Sequence, residues 1–347
     1  MAIDERPGVY SSYEVSSALA MASAGGVVGL AAEAGEHIGE SRLVTSYAQA
    51  CTDYGSGSVL AELVRILLLN GSAEIHAAAV PALSGAAEYA EAFDLLKADS
   101  RVKLLVCGSR DAAVHAALRQ SILNADENSR YRVGFAEAEG SASELISRAA
   151  ALNCERVVLV APGAASAAGT AVPGTCAAAV AGAVSATADP ALPLNGAELF
   201  GLDGLSKSFG DEDVNALIRG GVTVVEKAGD VVSVIRGVTT RGTTGGEPDA
   251  TWRELTTTLI VDDVIPTLRR SLRAKFSRTK NTVQTRGAIR SQVVIELENK
   301  LKREIIDSYG NVTVTADTED PTVCAVSFDF TVAHGLNRIN LRAHITV

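Results

Sequence analysis

From Gly26 onward, short apolar runs alternate with longer segments whose apolar positions recur every three or four residues. The runs at 27–31, 73–80, 102–107, 131–136 and 157–161 have the length and near-continuous apolar character of strands buried on both faces. Between them, residues 41–47 lead into a helix that ends at Tyr54. A second helical pattern over 59–69 is stopped by Asn70-Gly71, and others cover 86–97, 112–123 and 142–152. Strands that alternate with helices of this size imply crossover connections. The pattern therefore predicts an α/β fold, a largely parallel sheet with flanking helices.

The texture then changes. Residues 164–191 are rich in alanine and glycine and predict a loop followed by a closely packed small-residue helix. A hairpin is expected over 220–238, turning at Ala228-Gly229-Asp230, and 239–248 reads as a polar loop. Two long helices follow, about 251–279, kinked by Pro266, and 288–307, closed by Tyr309-Gly310-Asn311. The first carries Ile265, Leu268, Leu272 and Phe276; the second carries Ile289, Val293, Leu297, Leu301 and Ile305 at intervals of four. Three β runs end the sequence, at 312–316, 322–332 and 338–347, and Cys324, Val326, Phe328, Phe330 and Val332 alternate with polar neighbours. The predicted organisation is an N-terminal arm (1–25), an α/β body (26–190), an α+β C-terminal domain (191–337) and a C-terminal arm strand (338–347). Neither the polar, small-residue start nor the uncapped last strand carries a core of its own. Both fit edges open to a partner, although a final strand is more often paired within its own domain.

Composition narrows the function. The 347 residues carry a formal net charge of -10 and only 4% aromatics, which disfavours general nucleic-acid binding and base or sugar stacking. Five widely spaced cysteines with no CxxC predict reduced thiols rather than a disulfide framework or a zinc site. The start MAIDERPGVY has no signal-peptide pattern, and the apolar stretch 59–69 is too short to span a bilayer, so no membrane insertion is expected. No GxGxxG, GxxxxGK[ST] or GxSxG motif follows the strand ending at Cys107. Gly108-Ser109 still occupies a strand-to-helix turn where α/β enzymes place phosphate or a nucleophile, and Pro162-Gly163, after the strand at 157–161, reads as a turn that carries no acid, base or ligand. His37, His76, His115, His334 and His344 share no ligand spacing, although His334 and His344 could face each other across a terminal hairpin. The acidic groups Asp211-Glu212-Asp213 and Asp262-Asp263 are expected at helix starts. No catalytic, cofactor-binding or metal site emerges.

The sharpest local feature is electrostatic. Arg269, Arg270, Arg273, Lys275, Arg278, Lys280, Arg286 and Arg290 fall in a stretch with no Asp or Glu between Val264 and Arg290. The basic helix 268–280 is either a solvated face or a docking face for an acidic partner.

Several strings, in order, resemble the contractile tail sheath family of phages and phage-like particles. They are Pro7-Gly8-Val9-Tyr10, Val44-Thr45-Ser46-Tyr47 and Tyr54-Gly55 in the first half. Leu194-Asn195-Gly196, Leu202-Asp203-Gly204, Asp213, Ala216-Leu217, Gly220-Gly221-Val222, Ile235-Arg236-Gly237 and Thr239-Thr240-Arg241 follow. Trp252-Arg253-Glu254-Leu255, Asp262-Asp263-Val264, Leu268-Arg269 and Leu272 complete the series. The resemblance implies a compact sheath subunit, not an enzyme, without large outer insertions and without a cofactor. It would form stacked hexameric rings with copies of itself around an inner tail tube protein, with baseplate and tail-terminator proteins at the ends. The arms that donate strands to neighbours would hold Val9, Tyr10, Tyr13 and Val15 at one end and Asn340, Leu341, Arg342, Ala343, His344 and Ile345 at the other. Arg269, Arg270, Arg273, Lys275, Arg278 and Lys280 would face the tube. The protein would be made in a bacterial host cytoplasm and built into a particle. Two other readings remain open from the residues alone: an α/β enzyme with its site near Gly108-Ser109, and a nucleic-acid binder using the basic helix.

Overall fold

The computed structural model describes residues 26–127, 130–166 and 171–344. Val9, Tyr10, Tyr13, Val15 and Ile345 lie outside the described residues. The alternation of the first half holds: β1 (Val27–Glu33), β2 (Ser41–Val44), α1 (Tyr47–Tyr54), α2 (Val59–Leu69), β3 (Ile75–Val80), α3 (Ala86–Lys97), β4 (Val102–Cys107), α4 (Ala112–Glu127), β5 (Val133–Glu137), α5 (Ala142–Leu152) and β6 (Val157–Ala161). Then come β7 (Ala164–Ala165), α6 (Thr175–Ala186), β8 (Glu198–Leu199), β9 (Gly204–Leu205), α7 (Asp211–Arg219), β10 (Val222–Ala228) and β11 (Val231–Arg236). The small pair β12 (Thr243–Thr244) and β13 (Glu247–Pro248) precedes two long helices, α8 (Leu255–Phe276) and α9 (Val283–Lys302). The strands β14 (Ile306–Ala316) and β15 (Cys324–Val332) follow them.

Helix ends follow local chemistry. Ser58 accepts a hydrogen bond from the Ala61 amide at the start of α2, and Ser141 forms a capping box with Glu144 at the start of α5. The acidic run Asp211-Glu212-Asp213 sits in the first turn of α7, where carboxylates complement the helix dipole.

Among the described residues, nine strands join in the order β2-β3-β1-β4-β5-β6-β10-β11-β8. The six from β3 to β10 run parallel, and antiparallel β2, β11 and β8 finish the edges. The sheet does not stop at the expected body boundary near 190. The hairpin β10–β11 extends it, because β10 pairs in parallel with β6. Successive strand residues feed opposite cores. Val28, Leu30 and Ala32 point to a core closed by α1, α2 and α6, while Val27 and Ala31 join the core under α3, α4 and α5. Each large aliphatic side chain buried this way contributes roughly 1.5–3 kcal/mol. The alanine-rich α6 approaches α2 so closely that a Cβ on Gly182 would lie 2.6 Å from the Asn70 Cβ.

A third core joins Ile260, Val264 and Leu268 of α8 to Val293 and Leu297 of α9 and to Ile305, Ile306 and Val312. Several expectations need correction here. The helix α9 ends at Lys302, and Ile305 follows it. Glu304 adopts a left-handed φ of 56°, and the Ile305 amide reaches back to the Lys300 carbonyl. The four-residue interval misled because the last helical turn and the first inward strand residue face one core. Tyr309-Gly310-Asn311 is therefore no helix stop; it lies within β14, at an irregularity between Gly310 and Thr313. The buried stripe of α8 is Ile260, Val264 and Leu268 rather than one starting at Ile265. Residues 338–344 form no strand within the chain, so His334 and His344 do not face each other across a hairpin.

Candidate assembly interface

The turn after β4, where an α/β enzyme would work, is filled by the protein itself. His115 is fully buried, and its Nε2 bonds the Ser109 carbonyl at 2.9 Å, not the Ser109 hydroxyl. The N-terminal end of α6 points its free amides at the Glu137 carboxylate, which accepts from the Cys176 amide at 2.6 Å. Arg110 pairs with the same carboxylate at 2.6 Å. Burial pushes the Glu137 carboxyl up, and Arg110 with the amides of Cys176 and Gly174 pulls against it. The anion position at that helix end is thus taken by a side chain of the fold. Gly174 completes the closure: its φ is +86°, and an added Cβ would lie 2.8 Å from the Cys107 carbonyl oxygen.

Charge chemistry concentrates instead where α8 crosses the amino-terminal edge of the parallel sheet. Arg156, before β6, donates to Asp262 of α8 at 2.5 Å and is 6% exposed. Burial weakens the hold of Arg156 on its proton, but the Asp262 carboxylate outweighs this and raises it above its ordinary value. Asp263 pairs with Lys300 of α9 at 2.5 Å, and Thr258 donates to the Glu155 carbonyl. Asp262 and Asp263 were expected at a helix start; they lie in the middle of α8 and clamp it to β6 and α9. Sequence spacing carries no signal for partners so far apart along the chain. The Tyr131 ring lies between two guanidinium groups, Arg156 at 4.8 Å and Arg269 at 5.7 Å from its centroid.

The basic residues therefore divide. Arg269 also reaches the Tyr131 hydroxyl, and Lys275 donates to Gln292 of α9 at 2.5 Å. Arg286 bonds Asn281, and Arg290 bonds the Val312 carbonyl. Arg270, Arg273, Arg278 and Lys280 are exposed and have no partner among the described residues. The helix ends at Phe276, so Arg278 and Lys280 stand in the turn between α8 and α9 rather than on the helix. The free positive charge thus gathers on α8 and at the tip of the helical hairpin.

On the other side of the third core, β14 and β15 form a two-stranded antiparallel sheet whose outer edges are both unpaired among the described residues. Val326, Phe328, Phe330 and Val332 face the helices but stay only half-buried. Beyond β15 the chain is pinned briefly. The Ala333 amide bonds the Ile305 carbonyl, and Asn195 donates to Asn337 at 2.7 Å. Residues 338–344 then make no hydrogen bond or ion pair with the other described residues. They form neither helix nor strand and are exposed, with Ile339 at 78% and Leu341 at 92%. Open backbone edges beside an apolar, unpaired tail are the elements of strand addition between chains.

Comparison with known proteins follows this division of the chain. The phage tail sheath protein central domain matches residues 82–240, and the phage tail sheath C-terminal domain matches residues 247–346. The tail sheath protein of Bacillus phage SP01 is 26% identical over 268 residues, or 74% of this chain. The match takes in 45% of that relative, so the chain spans about half the length of the curated relative it matches. Among solved structures, the helical sheath of the anti-feeding prophage in its contracted state superposes with a TM-score of 0.72 at 15% identity, covering 99% of each chain. A chain in the six-fold symmetrised baseplate of the same particle gives 0.77 at 16% identity, covering 99% of this chain and 100% of that one. The sheath tail protein of Desulfitobacterium hafniense gives 0.70 at 12% identity, covering 94% of this chain and 100% of that one. With both family domains matched in sequence and the fold shared along almost its whole length, the chain belongs to the phage tail sheath family.

Proposed function

We propose that this chain is a structural subunit of a contractile tail sheath. Copies polymerise as stacked hexameric rings around an inner tube and, on contraction, drive that tube through a target cell envelope. The observation that carries the reading is the unpaired state of both β14–β15 edges and of residues 338–344 in a chain of the sheath family. Asn340, Leu341, Arg342, Ala343, His344 and Ile345 add to the sheet of one neighbour. The N-terminal arm, with Val9, Tyr10, Tyr13 and Val15, adds to that of another. Main-chain hydrogen bonds at roughly 0.5–1.5 kcal/mol each, several in parallel, hold the lattice. The extended lattice is metastable, and the contracted one buries more surface between subunit bodies. No nucleotide hydrolysis is needed.

The tube-facing surface is the positive charge of Arg270, Arg273, Arg278 and Lys280, with Arg269 held on Tyr131 of the body and Lys275 on Gln292 of α9. Wet charge contacts are individually weak and salt-sensitive, which suits an interface that must release. Baseplate and tail-terminator proteins close the two ends of the cylinder. The subunit is made in the host cytoplasm and works in a phage or phage-like particle. The reading is supported by the contracted-sheath and baseplate structures that share this fold. Negative-stain microscopy of the purified full chain is the test. Helical cylinders are expected, and dispersed particles at every concentration and salt would refute self-assembly.

A further inference from the structure

The turn between α8 and α9 meets the turn between β14 and β15, and one side chain joins them. Asn281 donates from Nδ2 to the Pro321 carbonyl at 2.9 Å and to the Val323 carbonyl at 3.1 Å. Its Oδ1 accepts from the Arg286 guanidinium at 2.9 Å, so both ends of the amide are engaged. Each side of this junction is fixed in its own right. On the helical side, Thr282 is the N-cap of α9 and accepts from the Thr285 amide at 3.2 Å. On the strand side, the β turn is closed by the Val323 amide on the Asp320 carbonyl and the Asp317 amide on the Val323 carbonyl. The Val323 carbonyl therefore takes two donors, one from its own turn and one from Asn281. One helical turn beyond Arg286, Arg290 donates to the Val312 carbonyl at 2.9 Å, a second tie between α9 and β14.

These bonds bear on the charge beside them. Arg278 and Lys280, both exposed and without a partner among the described residues, stand in the stretch 277–282 between the ends of α8 and α9. The Thr279 hydroxyl of that stretch stays local, on the Phe276 carbonyl. Asn281 is what carries the stretch across to the strands. A wet ion pair gains little, and ordering a mobile turn in order to make it costs a comparable amount. Cations held in place beforehand escape that cost. We propose that Asn281 is a positioning residue for the tube-facing charge. By fastening the helical tip to the β turn, it holds Arg278 and Lys280 in register with the two-stranded sheet to which a neighbour's strand adds. A strand seated on β14–β15 and the cations at the tip then move as one body. The inference rests on the tube-facing reading above and names a residue which that reading does not use.

The test is Asn281→Leu in the full chain, which keeps the size of the side chain and the formal charge while removing the bonds of the amide. Below the concentration at which the chain assembles, amide hydrogen exchange at Thr282, Asp317 and Val323 should accelerate about tenfold, the change expected when such bonds are lost. The β14–β15 ladder from Thr313 to Ala316 should keep its protection. Co-sedimentation with the tube protein should weaken about tenfold, while the chain alone still forms cylinders. Unchanged exchange overturns the tie. Faster exchange with undiminished tube binding overturns the positioning role. Reversal of Arg273, Arg278 and Lys280 to Glu tells the two readings apart. If the reversed chain loses the tube and Asn281→Leu keeps it, only the role of Asn281 falls. If the reversed chain also keeps the tube, the tube-facing assignment falls and takes the role of Asn281 with it.

Discussion

At the scale of single residues, His115 has the clearest consequence. Its Nε2 is spent on the Ser109 carbonyl, and its buried Nδ1 has no partner, so a second proton would have no acceptor. Burial pushes the imidazole down to about 4, with the Ser109 carbonyl opposing and the charges of Arg148 and Asp111 acting in opposite senses. In the unfolded chain it takes its proton near the ordinary value, about 6.5. Proton uptake below that value therefore favours unfolding first. Stability should fall between about pH 6.5 and pH 4, by up to about 3 kcal/mol, and then level off. Urea unfolding of the unassembled chain at pH 7 and pH 4.5 measures the loss, and His115→Gln should remove most of it. Gly182 gives a second residue-scale prediction. A Cβ there meets both the Asn70 side chain and the Leu67 carbonyl, so Gly182→Val should force α6 away from α2. The expected cost is about 1–3 kcal/mol in the same assay. Neither role was legible in the sequence. A histidine and a glycine in apolar segments have many uses, and only the partner across the core selects one.

Among the elements, the parallel strands were the most legible. Burial on both faces turned β6 into an unbroken apolar run, and β4 into one broken only by the exposed Lys103. The end of α9 was not, since Ile305 keeps a helical interval while belonging to the strand side of the turn. The purpose of α8 was the larger omission, because its carboxylates find Arg156 and Lys300 only in three dimensions. Arg156→Met should leave Asp262 uncompensated and lower stability by about 3–5 kcal/mol, read from the denaturant midpoint. The surface charges should behave differently. Reversing Arg273, Arg278 and Lys280 to Glu touches no internal contact, so the melting temperature should stay within a few degrees. Co-sedimentation with the tube protein should be lost, and unchanged co-assembly would remove the tube-facing assignment.

For the molecule as a whole, the α/β body and the sheath resemblance were readable because ordered strings of residues persist along most of the chain. The extent of the sheet was not: β10 and β11 belong to the body in space although they follow the alanine-rich segment in sequence. The tail was read as a strand, and its alternation of Ile339 and Leu341 does suit one, but a strand needs a neighbour that the described residues do not supply. Deleting 340–347 should leave thermal stability unchanged while abolishing cylinders in micrographs, and deleting 1–17 should do the same; long cylinders from either truncation would refute the arm assignments. The position of α8 carries one more implication. Its first turns are buried in the body core through Leu255, its later turns in the helical core through Val264 and Leu268, and ion pairs lock it on both sides. A helix spliced into two cores makes the protomer a stiff lever. A load applied at the hairpin tip is carried into the sheet through packed side chains and ion pairs.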